Sequence, residues 1–174
     1  MKQLVEKGVV TEAYVDEIVS KISIAFEDSE VADGELFIEC VPEVMELKQD
    51  LFARLEKTVS EKAIFCTNTS VMSPTEISAK CEHKERICGT HFWNPAFLIP
   101  LVEVVKTEYI SDEVIDTVME VMKAAGKQPC LCKKDVPGFI ANRMQHALWR
   151  EAIAIVDEGI ADAETVDLAC KTSF

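Results

Sequence analysis

What most constrains the fold of this chain is an alternation of two periodicities. Short apolar runs, LFIECV (36–41), AIFC (63–66), CGTHF (88–92), LVEVV (101–105) and PCLCK (129–133), alternate with longer stretches. In those stretches the apolar residues recur every three or four positions, as in Met45, Leu47, Leu51, Phe52 and Leu55. Strand and helix in alternation specify a layered α/β fold with a mainly parallel sheet. An earlier run, KISIAF (21–26), is read as a further strand, preceded by a helix from Thr11 to Lys21 with Thr11 as its N-cap. Two more helices are expected, from Ser73 to Lys80 with Pro74 in the first turn and from Ser111 to Ala125 with Gly126 as its stop. After DVPGF the pattern changes. From Ile140 onward the chain reads as helix, with an alanine-rich apolar stripe interrupted at Gly159. The expected division is an α/β unit over residues 1–135 and the start of an all-helical domain over residues 136–174.

Charge narrows the possible partners. Lysine and arginine number 18 against 31 aspartates and glutamates, a net charge of −13, which repels nucleic acid and anionic lipid. The first 19 residues lack the apolar core of a signal peptide, and no run approaches the roughly 20 apolar residues of a membrane span. These features lead to the expectation of a soluble, cytoplasmic protein that binds neither nucleic acid nor membrane. The seven cysteines, an odd number spread through apolar segments, read as reduced, buried thiols. Cys130 with Cys132, and Cys81 with His83 and Cys88, offer the groupings from which a metal site could be built. The first pair lies in a strand rather than in the turn that zinc pairs favour, so no metal is expected.

Chemistry enters with GTHFWNPAFLIPLVEVVK (89–106), where one histidine and one glutamate interrupt a nearly continuous apolar run. If CGTHF and LVEVV pair around a loop centred near Phe97, His91 falls opposite Glu103. A carboxylate that accepts the proton of one imidazole nitrogen fixes the tautomer and leaves the other nitrogen as a base. The same hairpin equally accommodates a satisfied core histidine beside an edge glutamate. Other polar residues stand at element ends. TNTS (67–70) closes a strand of an α/β alternation, where ligands bind. Asn94 follows the CGTHF strand, and Asn142 opens the long helix after PGF.

Taken in order, CTNTS, GTHFWNP, LVEVVKT and GKQPCLCKKDVPGFIANR strongly resemble the 3-hydroxyacyl-CoA dehydrogenase family over roughly residues 22–170. The resemblance implies an incomplete Rossmann-like doubly wound sheet followed by the start of the helical domain. It places the catalytic pair on His91 and Glu103, substrate contacts on Ser70 and Asn142, and nicotinamide-cofactor contacts on Glu43, Lys48, Ser70 and Asn94. It further implies NAD as cofactor, a 3-hydroxyacyl-CoA or another 3-hydroxy acid as substrate, and a homodimer in the complete form. Two departures qualify it. The chain contains no G-x-G-x-x-G turn, and the family's helical domain extends beyond its last residue, so it is expected to match the middle of a longer enzyme. In the doubly wound order this would leave Leu36–Val41 as an apolar sheet edge, to be covered by KISIAF or by a partner chain, or left marginally stable. A non-CoA dehydrogenase and a non-catalytic interaction module are the competing readings, and Trp93 and Pro100, where many members carry phenylalanine and lysine, bear on the substrate.

Overall fold

In the computed structural model, which describes residues 2–173, five strands form one sheet in the order β1-β2-β3-β4-β5. They are β1 (Leu36–Glu39), β2 (Ile64–Thr67), β3 (Ile87–Phe92), β4 (Leu101–Val105) and β5 (Gln128–Cys132). The first three run parallel, β4 turns back antiparallel to β3, and β5 runs parallel to β4. All four residues of β2 are buried, as a strand covered on both faces requires.

The faces follow from strand parity. Ile64 and Cys66 of β2 point to one side and pack with Cys88, Val102 and Val104 against Ile115, Val118 and Met122. Those three lie on the inner face of the helix Asp112–Ala124, which is capped by the Ser111 hydroxyl and ended by Gly126 at φ +75°. Ala63 and Phe65 point the other way, onto Phe52, Leu55, Ile77 and Ile87. Here Phe52 and Leu55 come from the helix Met45–Leu55, and Ile77 from the short helix Pro74–Ile77. Gly89 lets that short helix approach β3: a Cβ there would stand 2.9 Å from Pro74 Cγ and 3.0 Å from Val105 Cβ.

Numbered in chain order, the helices are α1 (Lys2–Glu6), α2 (Glu12–Ser20), α3 (Met45–Leu55), α4 (Pro74–Ile77), α5 (Asp112–Ala124), α6 (Ala141–Asp157) and α7 (Ala163–Ser173). Thr11 caps α2 as expected, through a bond from Tyr14 N. The segment expected as one helix from Ser73 to Lys80 is α4 followed by a 3-10 turn over Ser78–Lys80.

KISIAF corrects the sequence reading. It forms no strand, and Ile22, Ile24 and Phe26 are 66%, 78% and 86% exposed. A strand needs a ladder partner, and among the described residues β1 pairs only on its β2 side, so the β1 edge is not covered by this segment, one of the alternatives open for it. The strand expected over Leu36–Val41 ends at Glu39. Beyond β5, α6 and α7 pack on each other and contain no fully buried residue, leaving Trp149, Ile153 and Leu168 largely exposed. Among the described residues no helix is long and apolar enough to cross a membrane.

Candidate active site

The antiparallel pairing of β3 with β4 sets His91 directly opposite Glu103, with the ring nitrogen Nδ1 at 2.8 Å from Oε2. Both are buried, Glu103 completely. Three more donors converge on the same carboxylate. Trp93 Nε1 lies 3.0 Å from Oε2, and the backbone N–H groups of Ile140 and Ala141 each lie 2.9 Å from Oε1. Burial pushes the Glu103 carboxyl upward, but the bonds from His91, Ala141, Trp93 and Ile140 together outweigh it and hold the pKa at about 2. An ionised Glu103 accepts only, so Nδ1 carries the ring proton and Nε2 presents its lone pair. Nε2 has no hydrogen-bond partner among the described residues.

The backbone donors reach Glu103 because of the turn before α6. Gly138 (φ +77°) and Phe139 (φ +46°) are both left-handed, which reverses the chain and aims the first N–H groups of α6 at β4. For Phe139 this conformation costs about 1 kcal/mol. The ring is held by burial with Val105 and Cys132 and lies 5.7 Å from the His91 ring, as Trp93 does.

The loop after β2 brings the remaining polar residues to the carboxyl ends of the parallel strands. Asn68 Oδ1 accepts from Phe92 N at 2.8 Å and ties this loop to the end of the histidine strand. Glu43 accepts from Thr69 Oγ1 at 2.9 Å and from Ser70 N at 2.7 Å. Burial raises the Glu43 pKa, yet these bonds and the nearby Lys48 leave it below the usual range. Asn142 Nδ2 donates to the Ser70 carbonyl at 3.3 Å, so the two residues expected to hold substrate meet across the chain. The Ser70 hydroxyl has no partner among the described residues, and neither does the exposed Asn94 side chain. The Asn94 loop is held from β5's side by Lys127, whose Nζ bonds the carbonyls of Ala96 and Ile99.

Lys48 is buried at 1% exposure. Its Nζ donates to Glu39 at 2.8 Å and to the Val41 carbonyl at 3.1 Å, and lies 3.3 Å from Glu43. It therefore faces inward and braces Glu43, while Glu39 also accepts from Thr67 Oγ1 at 2.7 Å. Sequence reasoning missed Glu39, Phe139 and the backbone donors of Ile140 and Ala141, and it singled out Asn68, within TNTS, and Trp93 without the contacts they make. The contact of Trp93 left a signal, an indole two positions from His91 and so on the same side of the chain.

The cysteines form no disulfide. Cys66, Cys81, Cys88 and Cys132 are buried, Cys130 and Cys170 partly so, and Cys40 is exposed at the edge strand's end, against the expectation of burial. Among the described residues no three His, Cys, Asp or Glu side chains group to hold a metal ion.

Known proteins match this arrangement. Residues 1–136 match the 3-hydroxyacyl-CoA dehydrogenase, NAD binding domain, and residues 138–174 the 3-hydroxyacyl-CoA dehydrogenase, C-terminal domain. Mitochondrial hydroxyacyl-coenzyme A dehydrogenase of Sus scrofa is 34% identical over 98% of this chain and 54% of its own length. L-carnitine dehydrogenase of Burkholderia mallei is 38% identical over 81% of this chain and 44% of its own. The solved (S)-3-hydroxybutyryl-CoA dehydrogenase of Ralstonia eutropha superposes with a TM-score of 0.90 at 29% identity, covering 98% of this chain and 60% of that one. The chain thus spans about half the length of the curated relatives it matches. With a Rossmann-like sheet, a buried His/Glu pair across its hairpin and family matches over both of its parts, the chain belongs to the 3-hydroxyacyl-CoA dehydrogenase family.

Proposed function

We propose that this chain carries the catalytic centre of an NAD-dependent dehydrogenase that oxidises the 3-hydroxyl of a 3-hydroxyacyl-CoA to the ketone. The observation that carries the reading is the filled Glu103 carboxylate, which leaves His91 Nε2 as a lone pair without a protein partner. His91 takes the hydroxyl proton on Nε2, and ionised Glu103 stabilises the imidazolium that results. Ser70 and Asn142, joined across the chain, hold the substrate oxygen and stabilise charge developing there.

The residues present fit the nicotinamide end of NAD. The Ser70 hydroxyl and Asn94 amide stand free at the carboxyl ends of β2 and β3, and Glu43 borders them, braced by Lys48. NAD, when bound, supplies the hydride acceptor. The residues here position its partner and remove the proton.

The relatives include an L-carnitine dehydrogenase, which favours a second reading in which the substrate is a free 3-hydroxy acid. The test follows NADH formation with 3-hydroxybutyryl-CoA and with L-carnitine as alternative substrates. It uses the chain as it stands and a version preceded by a relative's strand, glycine turn and strand, with His91→Asn as the control. Turnover of the thioester that His91→Asn abolishes supports the first reading, and turnover of the free acid alone supports the second. With no turnover and no NADH binding by either version, both fall and a non-catalytic interaction module stands. The exposed apolar residues of α6 and α7 favour a homodimer, which sedimentation of the active preparation would reveal.

A further inference from the structure

Trp93 is a donor with a single possible use. An indole N–H donates and never accepts, and here it meets the oxygen that already receives the proton of His91 Nδ1. The other oxygen is filled by Ile140 and Ala141. A carboxylate offers about four acceptor sites, and four donors occupy them. When His91 becomes an imidazolium, its Nδ1 proton faces a carboxylate whose basicity the other three donors have lowered, so the proton stays on the ring. Each added donor also draws charge from the carboxylate, so Glu103 attracts the imidazolium less strongly than it would with His91 as its only ring donor.

The other charged and titratable groups around the pair leave this balance to Trp93. From β5, Cys130 faces Glu103 across the β4–β5 ladder and Cys132 lies two residues further on. Burial first, and then the charge of Glu103, holds the Cys130 thiol above its ordinary range. Cys132 is likewise held up, chiefly by burial. Phe139 on the other side of the ring is uncharged. Asp135 and Arg143, on either side of the Gly138 turn, lie closer in effect to Cys132, and Asp135 is bonded to Ser73 and Thr75.

We propose that Trp93 is a positioning residue of the His91–Glu103 pair: by occupying Oε2 beside His91, its N–H keeps the ring proton on Nδ1 and weakens proton uptake at Nε2. This keeps the base neutral, and so able to act, to lower pH. The inference rests on the reading of His91 as the base, but its test does not require turnover.

The experiment is an NMR titration of the histidine rings in the full chain, with His91→Asn identifying the His91 signal among His83, His91 and His146. In Trp93→Phe, which keeps a ring and loses the N–H, the His91 midpoint rises by about one pH unit. In protein labelled with 5-fluorotryptophan, whose N–H is the stronger donor, it falls, and this decides the matter if Trp93→Phe does not fold. An unchanged midpoint in both proteins, or a fall in Trp93→Phe, overturns the proposal. Where the enzyme turns over substrate, the acid limb of kcat/KM moves with the midpoint. Absence of turnover with the titration shifts intact would sink the proposed reaction and leave the role of Trp93 standing.

Discussion

Two buried glutamates in this molecule are stabilised in opposite ways. Glu39, at the end of β1, sits against the ammonium of Lys48 and accepts further bonds from Val41 N and Thr67 Oγ1. Its charge is cancelled within the protein. Glu103, more deeply buried, has no lysine or arginine bonded to it; two ring N–H groups and two backbone N–H groups hold it instead. Dipoles solvate a charge without cancelling it, so Glu103 retains a negative charge that answers a proton arriving on His91. The Glu39 pair is architecture. The Glu103 cluster leaves its charge facing His91.

The contrast breaks most sharply at Glu103. Glu103→Gln places an amide where four donors point and removes the charge, and kcat/KM falls about 10³-fold in a steady-state assay. Lys48→Met leaves buried Glu39 without its cation and costs about 3–5 kcal/mol in a denaturant melt. Pairing Lys48→Met with Glu39→Leu recovers most of that loss, since an apolar pair of similar volume replaces a buried ion pair at little cost.

Acid sharpens the comparison. The folded pKa of Glu103 lies below its unfolded value, so its stabilisation is present in full above the ordinary carboxyl range. It disappears as pH falls from about 4.5 towards 2. The contribution is about 3 kcal/mol, visible as a steeper loss of stability in that window than Glu103→Gln shows. The smallest effect falls on the turn: Gly138→Ala forces a side chain into φ +77°, 3.3 Å from Arg143 Cγ, and lowers stability by about 1–2 kcal/mol.

How much of this was legible in the sequence follows from how far apart the partners lie. His91 and Glu103 were legible because symmetry about Phe97 sets their register and strand parity does the rest. The helix cap at Thr11 was legible because its partner lies three residues away, and the helix starts at Ser73 and Ser111, whose hydroxyls also cap, were legible from the adjoining Pro74 and the apolar period. Ile140 and Ala141 lie 37 and 38 residues from Glu103, and no local period encodes such a meeting. The resemblance offered Lys48 as a cofactor contact, and its burial against Glu39, nine residues earlier on a different element, has no local signal. KISIAF failed for another reason: apolar alternation specifies a strand only where a neighbour completes the ladder.

The turn back from β3 to β4 sets an order of assembly. His91 and Glu103 lie on one hairpin, twelve residues apart, and need only a short loop to close. The Ser70–Asn142 bond spans 72 residues and forms only when α6 has docked on the sheet. Fraying at the start of α6 would therefore release Ser70 from Asn142 and strip Glu103 of its two backbone donors together, while the contact of His91 with Glu103 stayed closed within the hairpin.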